Sequence, residues 1–161
     1  MCPCWKRLKK EREDLQMEKD KKQRTAVYRR VSTGKEPFAL LVGADERRIN
    51  SDGSKLYVGS YIDQVGCRNS FKRLMEAAGE GEIDRIETRS ISDFANNIGE
   101  LLSTACRLRC LNKPVEIHFE EEDITSGTDE WEHCVCFLMG CLKSMYRKPR
   151  ITSEGRILRI G

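Results

Sequence analysis

The alternation of apolar and polar positions divides the chain into a repeating series of short elements. Thr25 to Val31 (TAVYRRV) reads as a first strand, because Val27, Tyr28 and Val31 favour extended backbone. Ser32 to Pro37 follows as a loop. Residues 38–43 (FALLVG) are apolar and fit either a helix or a strand, and Ser51-Asp52-Gly53-Ser54 has turn chemistry. Lys55 to Ile62 (KLYVGSYI) reads as a second strand. Phe71, Leu74, Met75 and Ala78 then recur at helical spacing, with Ser70 as the expected N-cap and Gly79-Glu80-Gly81 as the stop. Ile83 to Thr88 is expected to be a third strand. A second helical stripe runs through Phe94, Ile98, Leu101, Leu102, Ala105 and Leu108 until Asn112-Lys113-Pro114 breaks it. Val115, Ile117 and Phe119 alternate as a fourth strand. A last helix is expected from about Asp129 to Tyr146, with Trp131, Val135, Leu138, Leu142 and Met145 on one side and Pro149 ending it.

Strands that alternate with helices argue for an α/β domain with a mainly parallel central sheet of about four to five strands flanked by helices. A chain of 161 residues suffices for one such domain. No apolar run approaches the roughly 20 residues of a membrane helix, and no apolar segment follows the charged N-terminus as a secretion signal would. A cytoplasmic protein with no membrane association is therefore expected.

Charge is unevenly spread. Residues 1–24 carry nine basic and five acidic side chains, and residues 147–161 carry five and one, whereas the middle is net acidic. The expected organisation is a charged N-terminal arm (1–24), a folded domain (25–146) and a basic C-terminal tail (147–161). Attraction to phosphate should sit mainly in the two ends. The eight cysteines lack the spacing of metal-ligand pairs, and the only histidines are His118 and His133. Reduced, mostly buried thiols are expected, with no metal and no cofactor. In the third strand, Arg85 and Glu87 interrupt what is normally an apolar run and would be costly unless paired.

Three stretches carry chemistry. Tyr28-Arg29-Arg30-Val31-Ser32-Thr33 puts Tyr28, Arg30 and Ser32 on one face if the strand extends that far. A serine hydroxyl beside guanidinium groups suits attack on a phosphate, because arginine both holds the phosphate and stabilises charge building on its oxygens. Tyr61-Ile62-Asp63 is followed by Arg68-Asn69-Ser70-Phe71-Lys72-Arg73-Leu74 and by Gly81-Glu82-Ile83-Asp84. Ser90-Ile91-Ser92-Asp93-Phe94-Ala95-Asn96-Asn97 comes next, and then Val115 to Thr125.

In this order, these stretches resemble the catalytic domain of serine site-specific recombinases of the resolvase/invertase type, over about residues 25–146. The resemblance implies a resolvase-like α/β fold and DNA as partner. It implies Ser32 as nucleophile, forming a 5′-phosphoserine link and freeing a 3′-OH, with Arg30 and Arg68 on the phosphate, Asp63 in support and Tyr28 beside the DNA. It needs neither metal nor nucleotide. It also implies contact with a second copy, or with a recombinase partner, through the last helix.

The departures bear on activity. Asp93 and Asn96 stand where the family pattern Ser-Ile-Ser-Arg-Phe-Ala-Arg-Asn has arginines, and Asp93 would place a negative charge beside the expected phosphate. Arg89, one helical turn earlier, is a candidate substitute. The stretch Gln64-Val65-Gly66-Cys67 is shorter than its family counterpart. No helix-turn-helix or zinc-ribbon pattern follows Pro149, so site recognition is expected from elsewhere. The expected function is a degenerate or weakly active recombinase-like protein. Its alternatives are a partner subunit of an intact recombinase and an unrelated α/β binding module.

Overall fold

The computed structural model describes residues 22–32 and 37–136. Most of the charged arm, the Thr33–Glu36 part of the first loop, the expected helix beyond residue 136 and the basic tail lie outside these residues.

Five strands and four helices make up the part to residue 126. They are β1 (Gln23–Val31), α1 (Phe38–Ser51), β2 (Lys55–Gln64), α2 (Asn69–Gly79), β3 (Arg85–Thr88), α3 (Ile91–Phe94), α4 (Ile98–Arg109), β4 (Glu116–Phe119) and β5 (Ile124–Thr125). The sheet order is β2-β1-β3-β4-β5. The first four strands are parallel and β5 is antiparallel to β4. This is the mainly parallel α/β architecture that the element order predicts.

The core lies on one face of this sheet. Tyr28, Ile86, Ile117 and Phe119 are fully buried there, with Phe71 and Leu74 of α2, Phe94 of α3 and Leu101 and Leu108 of α4 also buried. Phe94 sits at its centre. Its ring centroid is 5.2 Å from Phe71, 5.8 Å from Phe119 and 6.1 Å from Tyr28, all edge to face. Gly81 joins α2 to β3 at φ 76°, a conformation that side-chain-bearing residues rarely adopt.

The other face is unusually polar, and this explains the unusual third strand. Thr25 pairs in register with Arg85, and Val27 with Glu87, so these residues share that face. Glu87 is 1% exposed. Arg48 of α1 and Lys55 of β2 each reach it at 2.8 Å, and Arg85 approaches at 3.4 Å. Arg85 also pairs with Glu116. The charges that looked out of place are thus answered within the domain. Burial alone would raise the Glu87 pKa, but hydrogen bonds from Lys55 and Arg48 outweigh it and hold the carboxyl below its ordinary value. A carboxylate with a depressed folded pKa stabilises the fold above its unfolded pKa of about 4.3, and that contribution is lost as pH falls through the folded value. The melting temperature should therefore drop on acidification below about pH 4.5, and Glu87→Gln should shrink the drop. An unchanged acid limb in thermal melts of that variant would contradict this assignment.

Local structure departs from expectation in several places. β1 begins at Gln23, so Gln23 and Arg24, assigned to the arm, belong to the sheet; Arg24 is paired with Asp84 at 2.7 Å. The ambiguous 38–43 segment opens a helix, and that helix buries the charged Asp45 as well as Ile49. Asp45 is fully buried against Arg29, while Leu40 is 65% exposed. Ser70 does not cap α2. Its hydroxyl donates to the Ile62 carbonyl, and the Asp63 carboxylate accepts from the Ser70 and Phe71 N–H groups instead. The long stripe from Phe94 to Leu108 is two helices, because Ala95 is extended and Asn97 caps the second. Cys67, Cys106, Cys110, Cys134 and Cys136 are exposed free thiols rather than buried ones. Residues 129–136 form a further helix, where Thr128 accepts from the Trp131 and Glu132 N–H groups. No described helix is long and apolar enough to cross a membrane.

Candidate functional site

The strand order locates the site before any residue is considered. β1 leads through α1 to β2 on one side, and α2 then returns the chain to β3 on the other side of β1. The winding direction therefore reverses between β1 and β3. In open parallel sheets, a crevice forms at the carboxyl ends of the strands at such a point, and ligands bind there. A cavity of about 330 Å³ is found at this position. Arg29, Arg30, Val31 and Ser32 line it from the end of β1, Arg89 and Asp93 from the segment after β3, and Leu41 from α1.

Ser32 directly follows β1 and is exposed. The three arginines beside it are engaged to different degrees. Arg29 is held bidentately by the buried Asp45, which also accepts from the Ser60 hydroxyl. The Asp45 hydrogen bond raises the Arg29 pKa above its ordinary value, so this cation is permanent but already partnered. Arg89 donates to Asp93, with contacts of 3.1 and 2.9 Å to the two carboxylate oxygens. Arg30 donates from Nη1 to the Asn96 side-chain oxygen at 2.9 Å. Its Nε and Nη2 are buried with no hydrogen-bond partner among the described residues. The Arg30 side chain also lies near Tyr28 and helps Arg68 oppose the rise of that tyrosine's pKa. Arg30 makes no ion pair among the described residues.

Tyr28, Asp63 and Arg68 form a second cluster on the same sheet face as Arg30. The Tyr28 hydroxyl donates to Asp63 at 3.2 Å, and Arg68 Nη1 donates to the Tyr28 oxygen at 3.2 Å. Burial raises the Tyr28 pKa, and Arg68 opposes this. Arg68 also donates to the Phe94 carbonyl at 2.8 Å, pairs with Glu100, and lies 3.7 Å above the Phe71 ring centroid. It does not line the cavity next to Ser32. Asp63 is spent on two jobs, accepting from Tyr28 and capping α2.

Glu100 is the residue that the sequence reading missed. It pairs with Arg68 and accepts from the Asn96 N–H at 2.7 Å, so Arg30, Asn96, Glu100 and Arg68 form one connected chain. Burial would raise the Glu100 pKa, but the Asn96 N–H and Arg68 hold it below the usual carboxylate value. Its signal was present in Asn97-Ile98-Gly99-Glu100, the spacing of a capping box. Asn97 does accept from the Glu100 N–H. Asp93 also reads differently in place. It is 8% exposed and neutralised by Arg89, so the bare repulsion expected from its sequence position is largely cancelled. Among the described residues, no group of three or more His, Cys, Asp or Glu is placed to hold a metal ion.

The same architecture occurs in solved structures. A resolvase family site-specific recombinase from Streptococcus pneumoniae superposes with a TM-score of 0.58 at 23% identity, covering 77% of this chain and 89% of that one. The N-terminal catalytic domain of TP901-1 integrase gives 0.62 at 13% identity, covering 76% and 96%. This chain has the resolvase-type catalytic fold. No family model and no curated protein matches the sequence. The cavity of this chain lies at the end of β1, next to Ser32.

Proposed function

We propose that this domain binds the phosphodiester backbone of DNA in the cavity beside Ser32, and that its capacity to cut the strand there is strongly reduced. The observation that carries the reading is the meeting of Ser32 with three arginines at the switch point of the sheet. A guanidinium suits phosphate because its planar donors match two phosphate oxygens at once. Arg30 lines the cavity and has no ion-pair partner among the described residues. Cleavage would form a bond from Ser32 Oγ to phosphorus and break the bond from phosphorus to O3′. The serine proton would be lost, and the departing 3′ oxygen would leave as a hydroxyl. The product would be a 5′-phosphoserine link.

That step needs several donors on the phosphate as charge builds, and most of the cations here are committed. Arg29 is tied to Asp45, Arg68 to Glu100, and Arg89 to Asp93. Removing one such donor typically costs about 10²–10³ in rate. The unmodified protein should therefore give no covalent adduct with a nicked recombination substrate on a denaturing gel. An adduct that vanishes in Ser32→Ala would show that strand cleavage survives and would overturn this half of the proposal.

DNA binding itself should be weak, independent of sequence and steeply salt-dependent, because backbone contacts carry no base information. Titration of unrelated duplexes at two salt concentrations checks this. Site-specific binding that persists at high salt would contradict it.

A further inference from the structure

We propose that Arg89, positioned by Asp93, is a second phosphate-contacting residue of the cavity, alongside Arg30. This rests on the phosphodiester reading above and assigns it a residue. Three guanidinium groups and one carboxylate, Asp93, line the cavity, and the three arginines are not equivalent. Arg29 is held along its Nε–Nη2 edge by a fully buried carboxylate, and its side chain is only 25% exposed. Arg89 is different. Its contacts to Asp93 both run through Nη2, and Nη1 makes no hydrogen bond among the described residues. Its side chain is 54% exposed and lines the cavity. Glu121 is a more distant neighbour, 3.7 Å from Nε.

The placement is firm at the backbone. Arg89 directly follows β3, and its carbonyl accepts from the Glu121 N–H at 2.8 Å. Asp93 lies on α3, whose N-cap is the buried Ser90, and the Ser90 side chain accepts from the Asp93 N–H. A carboxylate fixed in this way grips one edge of the guanidinium and steadies it. The acidic residue that looks hostile to phosphate at position 93 thus acts through the arginine one turn before it. The ligand class is a phosphodiester oxygen, or any phosphate of similar size.

The test measures the affinity of the full chain for a short DNA duplex at fixed salt, together with the salt slope. Arg89→Gln should weaken binding on the order of tenfold, as expected for loss of one charge-assisted contact, and should reduce the slope by about one. Arg89→Lys should restore part of the affinity. In an Asp93→Asn background Arg89→Gln should cost less than in the unmodified chain, because Arg89 is no longer held in place; an undiminished loss would show that Asp93 does not position it. Arg107→Gln, an exposed arginine on α4 away from the cavity, serves as the charge control. Arg30→Gln separates the two levels. If Arg30→Gln weakens binding and Arg89→Gln matches Arg107→Gln, the Arg89 assignment is overturned and the cavity reading stands. If neither cavity variant differs from the control, the cavity reading itself fails, and Arg89 with it.

Discussion

Replacing Phe94 by alanine is expected to destabilise the domain by about 3–5 kcal/mol, the range for removing a buried aromatic side chain. Phe94 is fully buried and touches Tyr28, Phe71 and Phe119, so it joins β1, α2 and β4 through one ring. Surrounding groups cannot easily collapse into the space, because three other rings already fix its walls. The melting temperature should fall by at least about 10 °C. Phe94→Leu should cost less, about 1–2 kcal/mol, since it keeps most of the volume. Denaturant unfolding with an unchanged m-value gives the difference directly. A loss below about 1 kcal/mol for the alanine variant would show that α3 is not packed as described. The effect should also reach the site, because the Phe94 carbonyl holds Arg68.

The second large effect is a gain. Asp93→Arg combined with Asn96→Arg should recover a trace of covalent attachment to DNA that depends on Ser32. Two things change together. Asn96 now accepts from Arg30, and an arginine there would release Arg30 and add a donor. Asp93 now holds Arg89, and an arginine there would remove a carboxylate from the cavity wall. If each recovered donor is worth about 10²–10³ in rate, the pair brings the reaction from undetectable into range. Asp93→Asn alone should do less, since it removes a charge without supplying a donor. The measurement is a denaturing gel with the double variant and its Ser32→Ala derivative, after thermal melts show that both are folded. A folded double variant with no adduct would mean that the lost arginines do not explain inactivity, and would turn attention to the short 64–67 segment.

The parts of this molecule that were legible in the sequence are those where pattern and packing agree. Parallel strands with an apolar face, and α2 with Phe71 and Leu74 one turn apart, follow from periodicity. The site motif was legible because a strand sets Tyr28 and Arg30 on one side. The misreadings share a cause. In α1 the buried residues are Asp45 and Ile49, while Phe38 and Leu40 are exposed, so the apolar run at its start points the wrong way. At Ala95 the spacing of Phe94, Ile98 and Leu101 stays helical across a break, and only the Asn97 cap reveals it. Arg85 and Glu87 looked costly because their partners lie on other elements. The same holds for the cavity: a sequence shows how many arginines are near a serine, but their remaining donors depend on Asp45, Asp93, Asn96 and Glu100, which reach them through the fold.

The most direct measurement follows the arginine side-chain and backbone amide resonances of the full chain by NMR during titration with a short duplex. If DNA phosphate enters at the switch point, the Arg30 and Arg89 guanidinium signals and the Ser32 amide should shift together and saturate at one concentration. Those of Arg107, away from the cavity, should stay nearly still. Saturable shifts elsewhere, with Arg30, Ser32 and Arg89 unmoved, would show that DNA does not enter this cavity.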